Sequence, residues 1–285
     1  QGTSIGNWNV ANDLLIRAEV DARGKRLLVI GNKGGQIWEL DELRFDDSQV
    51  THLPDVSSNE IETIAAGLDH WVICRSRGQV EARNLDDGQI VLSLSGNRSP
   101  IIAAAISSDG RQLLGASRQR MLYVWSLESA FLLKSIAQIT PGTVNDIHWE
   151  PDQPRAFLTQ KDQPTLWWDI ESEQILARLF SVGDETVTIP SQGERLFLGS
   201  SNGAVHAVDL SKLSQQILAN ADASDEHPRI RPGVNRQSNQ GQRVDIKDWL
   251  KVGGHNGLIW GAAADPNEIQ LATAGHDGTI KTWDL

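Results

Sequence analysis

The feature that most constrains this chain is a spacing. Leu40, Arg83, Trp125, Trp168 and Val208 hold equivalent places in five short segments, GGQIWELDE, RGQVEARNL, QRMLYVWSL, DQPTLWWDI and NGAVHAVDL, at intervals of 40 to 43 residues. A sixth segment, DGTIKTWDL, ends the chain with Trp283 in that place, 75 residues after Val208. Upstream of each segment lies a turn: Ala22-Arg23-Gly24, Ala66-Gly67, Ser107-Ser108-Asp109-Gly110, Glu150-Pro151-Asp152, Pro190-Ser191-Gln192 and Asp265-Pro266-Asn267. Such a period demands a repeat architecture, because one unit of about 40 residues cannot bury both of its own faces.

The last unit is the clearest. From Gly254 to Leu285 it reads as three apolar runs of strand length, Leu258–Ala264, Ile269–Ala274 and Thr279–Trp283, punctuated by Pro-Asn and Asp-Gly turns. With its Gly-His entry and Trp-Asp exit it resembles the WD40 repeat, a four-stranded blade of a β-propeller. The resemblance implies an all-β fold: a single propeller over residues 1–285 with six recognisable repeats, or seven blades, seven being commoner in the family. It also implies that residues 2–9 supply the fourth strand of the last blade and close the ring, which would remove open sheet edges. In that family the positions of His255, Thr273, Asp277 and Trp283 form a structural hydrogen-bond network, so these four, despite looking like a hydrolase constellation, are expected to hold a blade together. The other repeats depart from the pattern, carrying Asn12, Asp55, Asn97, Thr140 and Phe180 at the His place, and are expected to rely on apolar packing.

The long interval before the last repeat falls within 211–244, a polar stretch containing SDEHPRIRPGVNRQSNQGQ. It reads as a loop between third and fourth strands, on the bottom of the disc, if Ile246–Val252 is the ordered strand, and as a loop on the top, beside the basic turns, if Gln215–Leu218 is. A net charge of −11 argues against general nucleic-acid binding, and no apolar run approaches the length of a membrane span. Cys74 stands alone and reads as a small buried hydrophobe. The chain begins at Gln1, as a processed or excised piece would. Without a secretion signal the cytoplasm is the expected compartment, and nothing bears on oligomeric state.

Charge is distributed by face. The turns between second and third strands, with the segment before the third repeat, carry Lys33, Arg75, Arg77, Arg98, Arg118, Arg120 and Lys161. The turns between third and fourth strands carry Asp41, Glu42, Asp46, Asp47, Asp86, Asp87, Glu128, Asp169, Glu171 and Glu173. Arginine grips carboxylate or phosphate through paired hydrogen bonds, so the basic face is expected to receive an acidic or phosphorylated protein segment, with exposed Trp38, Trp167 and Trp260 beside it. That makes the chain a non-catalytic interaction platform needing no cofactor or metal. The alternatives are a regulatory or sensor domain of a larger effector such as a kinase, and an enzyme using a central funnel lined by Glu62, Asp146 and Glu185. The seven histidines lack ligand spacing, and CxxC, HExxH, GxSxG and P-loop motifs are absent.

Overall fold

The computed structural model describes residues 15–23, 25–31, 34–39, 50–53, 55–56, 60–137, 142–160, 163–180, 185–188, 194–222, 241–245, 250–264 and 270–285. It divides into two compact units, 1–147 and 148–285, and its strands form six sheets.

In the first unit, β1 (Leu15–Val20), β2 (Arg26–Gly31), β3 (Gly34–Glu39) and β4 (Thr51–Leu53) pair in sequence order. The second sheet repeats that order with β5 (Ile61–Ala66), β6 (His70–Arg75), β7 (Val80–Asn84) and β8 (Ile90–Leu94). The third does so with β9 (Ile101–Ile106), β10 (Gln112–Ser117), β11 (Met121–Ser126) and β12 (Leu132–Ala137). β1 lies beside β5, and β5 beside β9, so the first strand of each sheet is the innermost. The chain crosses into the second unit along β13 (Val144–Trp149).

There β14 (Arg155–Gln160), β15 (Gln163–Asp169) and β16 (Gln174–Phe180) pair in order. β17 (Glu185–Thr188), β18 (Arg195–Ser200) and β19 (Ala204–Asp209) follow. Helix α1 (Leu210–Asp222) and β20 (Gln242–Asp245) intervene before β21 (Leu250–Gly254) completes that sheet against β19. The last sheet is β22 (Ile259–Ala264), β23 (Gln270–Gly275) and β24 (Ile280–Asp284). The expected clasp by residues 2–9 lies outside the described residues.

The pairing register is common to sheets whose sequences differ. β7 against β8, β11 against β12 and β15 against β16 each slip by one residue at Arg83, Trp125 and Trp168, the repeat's marker position. A bulge there sharpens the strand twist in the same place each time. The first sheet corrects the sequence alignment. Trp38 faces Leu27 as Trp125 faces Leu113 and Trp283 faces Leu271. Its hairpin is one residue shorter, and by this pairing Trp38 and not Leu40 is the equivalent of Trp283. Trp38 is accordingly buried, as is Trp167, and neither is the exposed aromatic that the sequence suggested. The side chain of Trp260 lies outside the described residues.

Central strands are buried on both faces, which is why β6, β10, β14 and β18 read as continuous apolar runs. Cys74 is buried in the first unit's core with Val72, Val80, Leu113 and Trp125. Each fully buried aliphatic or Phe side chain contributes about 1.5–3 kcal/mol.

The insertion is also ordered where described. Residues 210–222 form a helix whose Leu210, Leu213 and Ile217 join the core of Phe157, Trp167 and Leu198. Asp209 caps it, its Oδ1 accepting from the backbone N–H of Ser211 at 2.9 Å and of Lys212 at 3.2 Å. β20 then runs parallel to β16, pairing Ala177 with Gln242 through Phe180 with Asp245. Gln215–Leu218 is therefore helical, and the insertion joins a third strand to a fourth. A loop reading failed because apolar residues spaced at Leu210, Leu213 and Ile217 follow a helical period inside a polar segment.

Candidate functional site

The last sheet brings together His255, Thr273, Asp277 and Trp283. Trp283 Nε1 donates to Thr273 Oγ1 at 2.9 Å. Thr273 Oγ1 lies 2.8 Å from His255 Nε2, and His255 Nδ1 lies 2.9 Å from Asp277 Oδ1. One proton arrangement satisfies every contact: the Thr hydroxyl donates to Nε2 and the Nδ1–H donates to the carboxylate. The Thr279 hydroxyl, the Asn256 N–H and the His255 ring hold the Asp277 carboxyl well below the usual carboxylate range. Both imidazole nitrogens are thereby occupied, the His255 side chain is fully buried and Thr273 is 1% exposed. The arrangement ties the residue after β21 to β23 and β24. Its hydroxyl and imidazole are closed to solvent.

The third sheet shows what happens when one member is missing. Gly115 stands opposite Tyr123 where Thr273 stands opposite Lys281. An added Cβ at Gly115 would meet the Trp125 ring at 2.9 Å. With no hydroxyl in reach, Trp125 Nε1 donates to the Ser95 carbonyl at 2.8 Å.

The second sheet replaces the network by ions. Asp55 and Arg83 occupy the His and Trp places, and Arg83 donates to both Asp55 oxygens, at 3.4 and 2.6 Å. Glu81 accepts from Arg83 Nη2 at 2.7 Å and from Arg75 Nε at 2.9 Å. Arg75 Nη1 reaches the Asp55 carbonyl at 3.1 Å and Glu60 Oε2 at 3.3 Å. The side chain of Arg83 is 3% exposed, that of Arg75 11% and that of Glu81 13%, so this lattice is largely removed from water. Hydrogen bonding to Arg83 lowers the Asp55 pKa. Burial pushes Glu81 up, but hydrogen bonds from Arg75 and Arg83 outweigh it and leave it below its ordinary value. Apolar packing was the expectation for this sheet. The signal that could have found the lattice was an Arg at the Trp place together with an Asp at the His place.

Arg75 is thus not part of an exposed basic face, since four oxygens surround its guanidinium. Arg77, Arg98, Arg118 and Arg120 are exposed, and their loops are joined. Asn97 Nδ2 donates to the Gly78 carbonyl at 2.7 Å, and the Arg118 N–H donates to the Pro100 carbonyl at 3.3 Å. Arg118 Nη2 also donates to both oxygens of Glu62, at 2.9 and 2.7 Å, which neutralises part of the face. Among the described residues no acidic side chain pairs with Arg77 or Arg98. Lys33 and Lys161 lie outside the described residues. Of the funnel candidates, Glu62 is held by Arg118, Asp146 Oδ1 accepts from the Ile147 N–H at 2.9 Å, and the Glu185 side chain is outside the described residues.

A buried carboxyl stands in the second unit. Glu150 Oε2 accepts from Trp167 Nε1 at 2.8 Å, while the indole stacks on Phe157 with ring centroids 5.6 Å apart. Burial pushes the Glu150 pKa up despite the indole hydrogen bond and the Arg155 charge. A carboxyl with a raised folded-state pKa contributes stability at low pH that is lost as pH rises through the folded value. Glu150→Gln keeps an acceptor for the indole and removes the charge. Its melting temperature relative to wild type is expected to rise by a few degrees from pH 4 to pH 7.5. A difference that stays flat or falls over that range would remove the cause assigned here.

Six sheets on one repeat, the last closed by an indole–hydroxyl–imidazole–carboxylate chain, define a β-propeller with WD-type blades. Solved structures agree on the fold. The chain matches one from "Crystal Structure of Mitotic Checkpoint Complex" with a TM-score of 0.69 at 12% identity, covering 99% of this chain and 78% of that one. It matches "Structure of U3-55K" with a TM-score of 0.66 at 15% identity, covering 97% and 79%. The family model "WD domain, G-beta repeat" matches residues 88–126 and 249–284. Those two stretches are WD40-type repeats. WD repeat-containing protein 18 of Rattus norvegicus is 23% identical over 209 residues, 70% of this chain and 44% of that protein. Ribosome biogenesis protein YTM1 of Kluyveromyces lactis is 24% identical over 228 residues, 72% and 48%. The YTM1 of Pyricularia oryzae is 24% identical over 306 residues, 99% and 60%. The chain spans about half the length of these relatives.

Proposed function

We propose that this propeller is a non-catalytic protein-interaction platform, and that its first unit receives an acidic or phosphorylated segment of a partner protein on the edge formed by Arg77, Arg98, Arg118 and Arg120. The observation that carries this reading is the pair Arg77 and Arg98. Both guanidinium groups are exposed, and the Asn97–Gly78 hydrogen bond holds their loops together. Rigid sheets position the loops before a ligand arrives, which lowers the ordering cost of binding. The relatives named for ribosome biogenesis are in keeping with a role in assembling other macromolecules.

The test uses a defined acidic probe, the capped peptide acetyl-(Glu-Gly)4-amide carrying a fluorophore, against the full chain. Wild type is expected to bind it, more weakly as salt is raised. Arg77→Glu with Arg98→Glu is expected to lower affinity at least about tenfold, as two lost charge-assisted contacts should, while leaving the melting temperature unchanged. Binding that ignores both salt and the double charge reversal would exclude this edge.

A further inference from the structure

Beside Arg77 the second sheet opens a cleft of about 310 Å³, lined by Asp55, Glu60, Arg75, Ser76, Arg77, Gln79 and Glu81. Its floor is the Arg75 guanidinium, and the chemistry of the cleft follows from the state of that group. Nε donates to Glu81 Oε1, Nη1 to the Asp55 carbonyl and to Glu60 Oε2, and Nη2 to Glu81 Oε2 at 3.3 Å while lying 3.6 Å from Asp55 Oδ2. Four of its five N–H groups are hydrogen-bonded and the fifth is left beside the Asp55 carboxylate, so the floor offers an anion little. The walls are different. The Glu60 side chain is 49% exposed and that of Asp55 55% exposed. A carboxylate offers about four acceptor sites. Among the described residues Glu60 accepts only from Arg75, through one oxygen, so its second oxygen is open to the cleft.

The cleft therefore offers fixed acceptors inside and one donor, Arg77, at its rim. We propose that it is a pocket for a basic side chain, lysine or arginine, of the bound partner segment, entering between Asp55 and Glu60 while an adjoining acidic residue is held by Arg77. This deepens the reading of the basic edge and rests on it, since it specifies a segment in which a base adjoins an acid. The ion lattice behind the walls supplies the pre-organisation. Arg83 holds Asp55 and Arg75 holds Glu60, so the carboxylates need little rearrangement to take a cation. The rim arginine supplies selectivity, because it repels a basic residue that arrives without an acidic neighbour.

The test titrates the ¹⁵N-labelled full chain with three capped dipeptides, acetyl-Glu-Arg-amide, acetyl-Glu-Gln-amide and acetyl-Gly-Arg-amide, reading the amide shifts of Ser76, Arg77 and Gln79. Glu-Arg is expected to bind about tenfold more tightly than Glu-Gln, the scale of one added charge-assisted contact. Glu60→Gln, which keeps the shape of the wall, should abolish that preference with its melting temperature unchanged. Equal binding of Glu-Arg and Glu-Gln, or a preference that survives Glu60→Gln, would overturn the pocket. The wider reading fails separately. If Arg77→Glu leaves the binding of Glu-Gln untouched, the acidic contact is wrong. If Gly-Arg then still shifts Ser76 and Gln79 and loses this in Glu60→Gln, the pocket stands as a site for a basic side chain alone.

Discussion

Glu81→Ala is expected to destabilise the protein by about 3–5 kcal/mol, the cost of breaking a buried ion cluster from one side. Glu81 is the carboxylate that Arg75 and Arg83 share. Removing it leaves two guanidinium groups facing each other around a cavity, with only Asp55 and Glu60 at the margin to offset them. Urea unfolding would measure the loss, and a change below about 1 kcal/mol would show that the lattice does not hold this sheet. Replacing Arg75, Glu81 and Arg83 together by apolar residues of similar volume should cost far less than the single change, because no charge is then left uncompensated. The lattice also fixes a pH response. Asp55 and Glu81 are both held below their ordinary values. Their contribution is therefore complete above the unfolded carboxylate range and is lost as pH falls through the folded values.

Gly203→Ala is the second large effect. Gly203 turns the β18–β19 hairpin with φ of +83°, a conformation that costs an L-residue about 1–2 kcal/mol. Its Cβ would fall inside van der Waals contact of the His255 carbonyl and 2.7 Å from the Gly257 carbonyl. Both obstacles are backbone, so neither can rotate aside. The expected loss is about 3 kcal/mol or more, with His255 displaced, because its N–H donates to the Gly203 carbonyl at 2.8 Å. The control is Gly278→Ala, where φ is +73° but nothing stands within 4 Å; only the backbone cost of about 1 kcal/mol should appear. Equal losses in the two variants would mean that the crowding at Gly203 is relieved without consequence.

The period was legible because it is a property of spacing, and spacing survives substitution. Strands β5, β9, β13 and β22 begin within a residue of where their apolar runs place them. Identity at the marker position was less legible. With a hairpin one residue shorter, the marker place falls at Trp38 and not at Leu40, and no local pattern announces a deletion in a turn. Charge on the basic edge was half legible. Arg75 and Arg77 look alike in sequence, separated by one residue, yet Arg75 ends β6 and reaches inward to Glu81, while Arg77 lies in the turn beyond the strand, at the surface. The acids that neutralise the inward one, Asp55 and Glu60, arrive from a different loop, and counting charges turn by turn cannot pair them.

The anchoring of α1 and β20 carries a consequence of a different kind. α1 is continuous with β19, and β20 is held to β16 by four register pairs. Gln242 Nε2 also donates to the Ile217 carbonyl at 2.7 Å, fastening the two anchors to each other. A chain severed anywhere between Ala223 and Gln240 would thus leave each half docked at its own anchor. The β16–β20 pairing and the Gln242–Ile217 bond would then join two chains where they now join two parts of one.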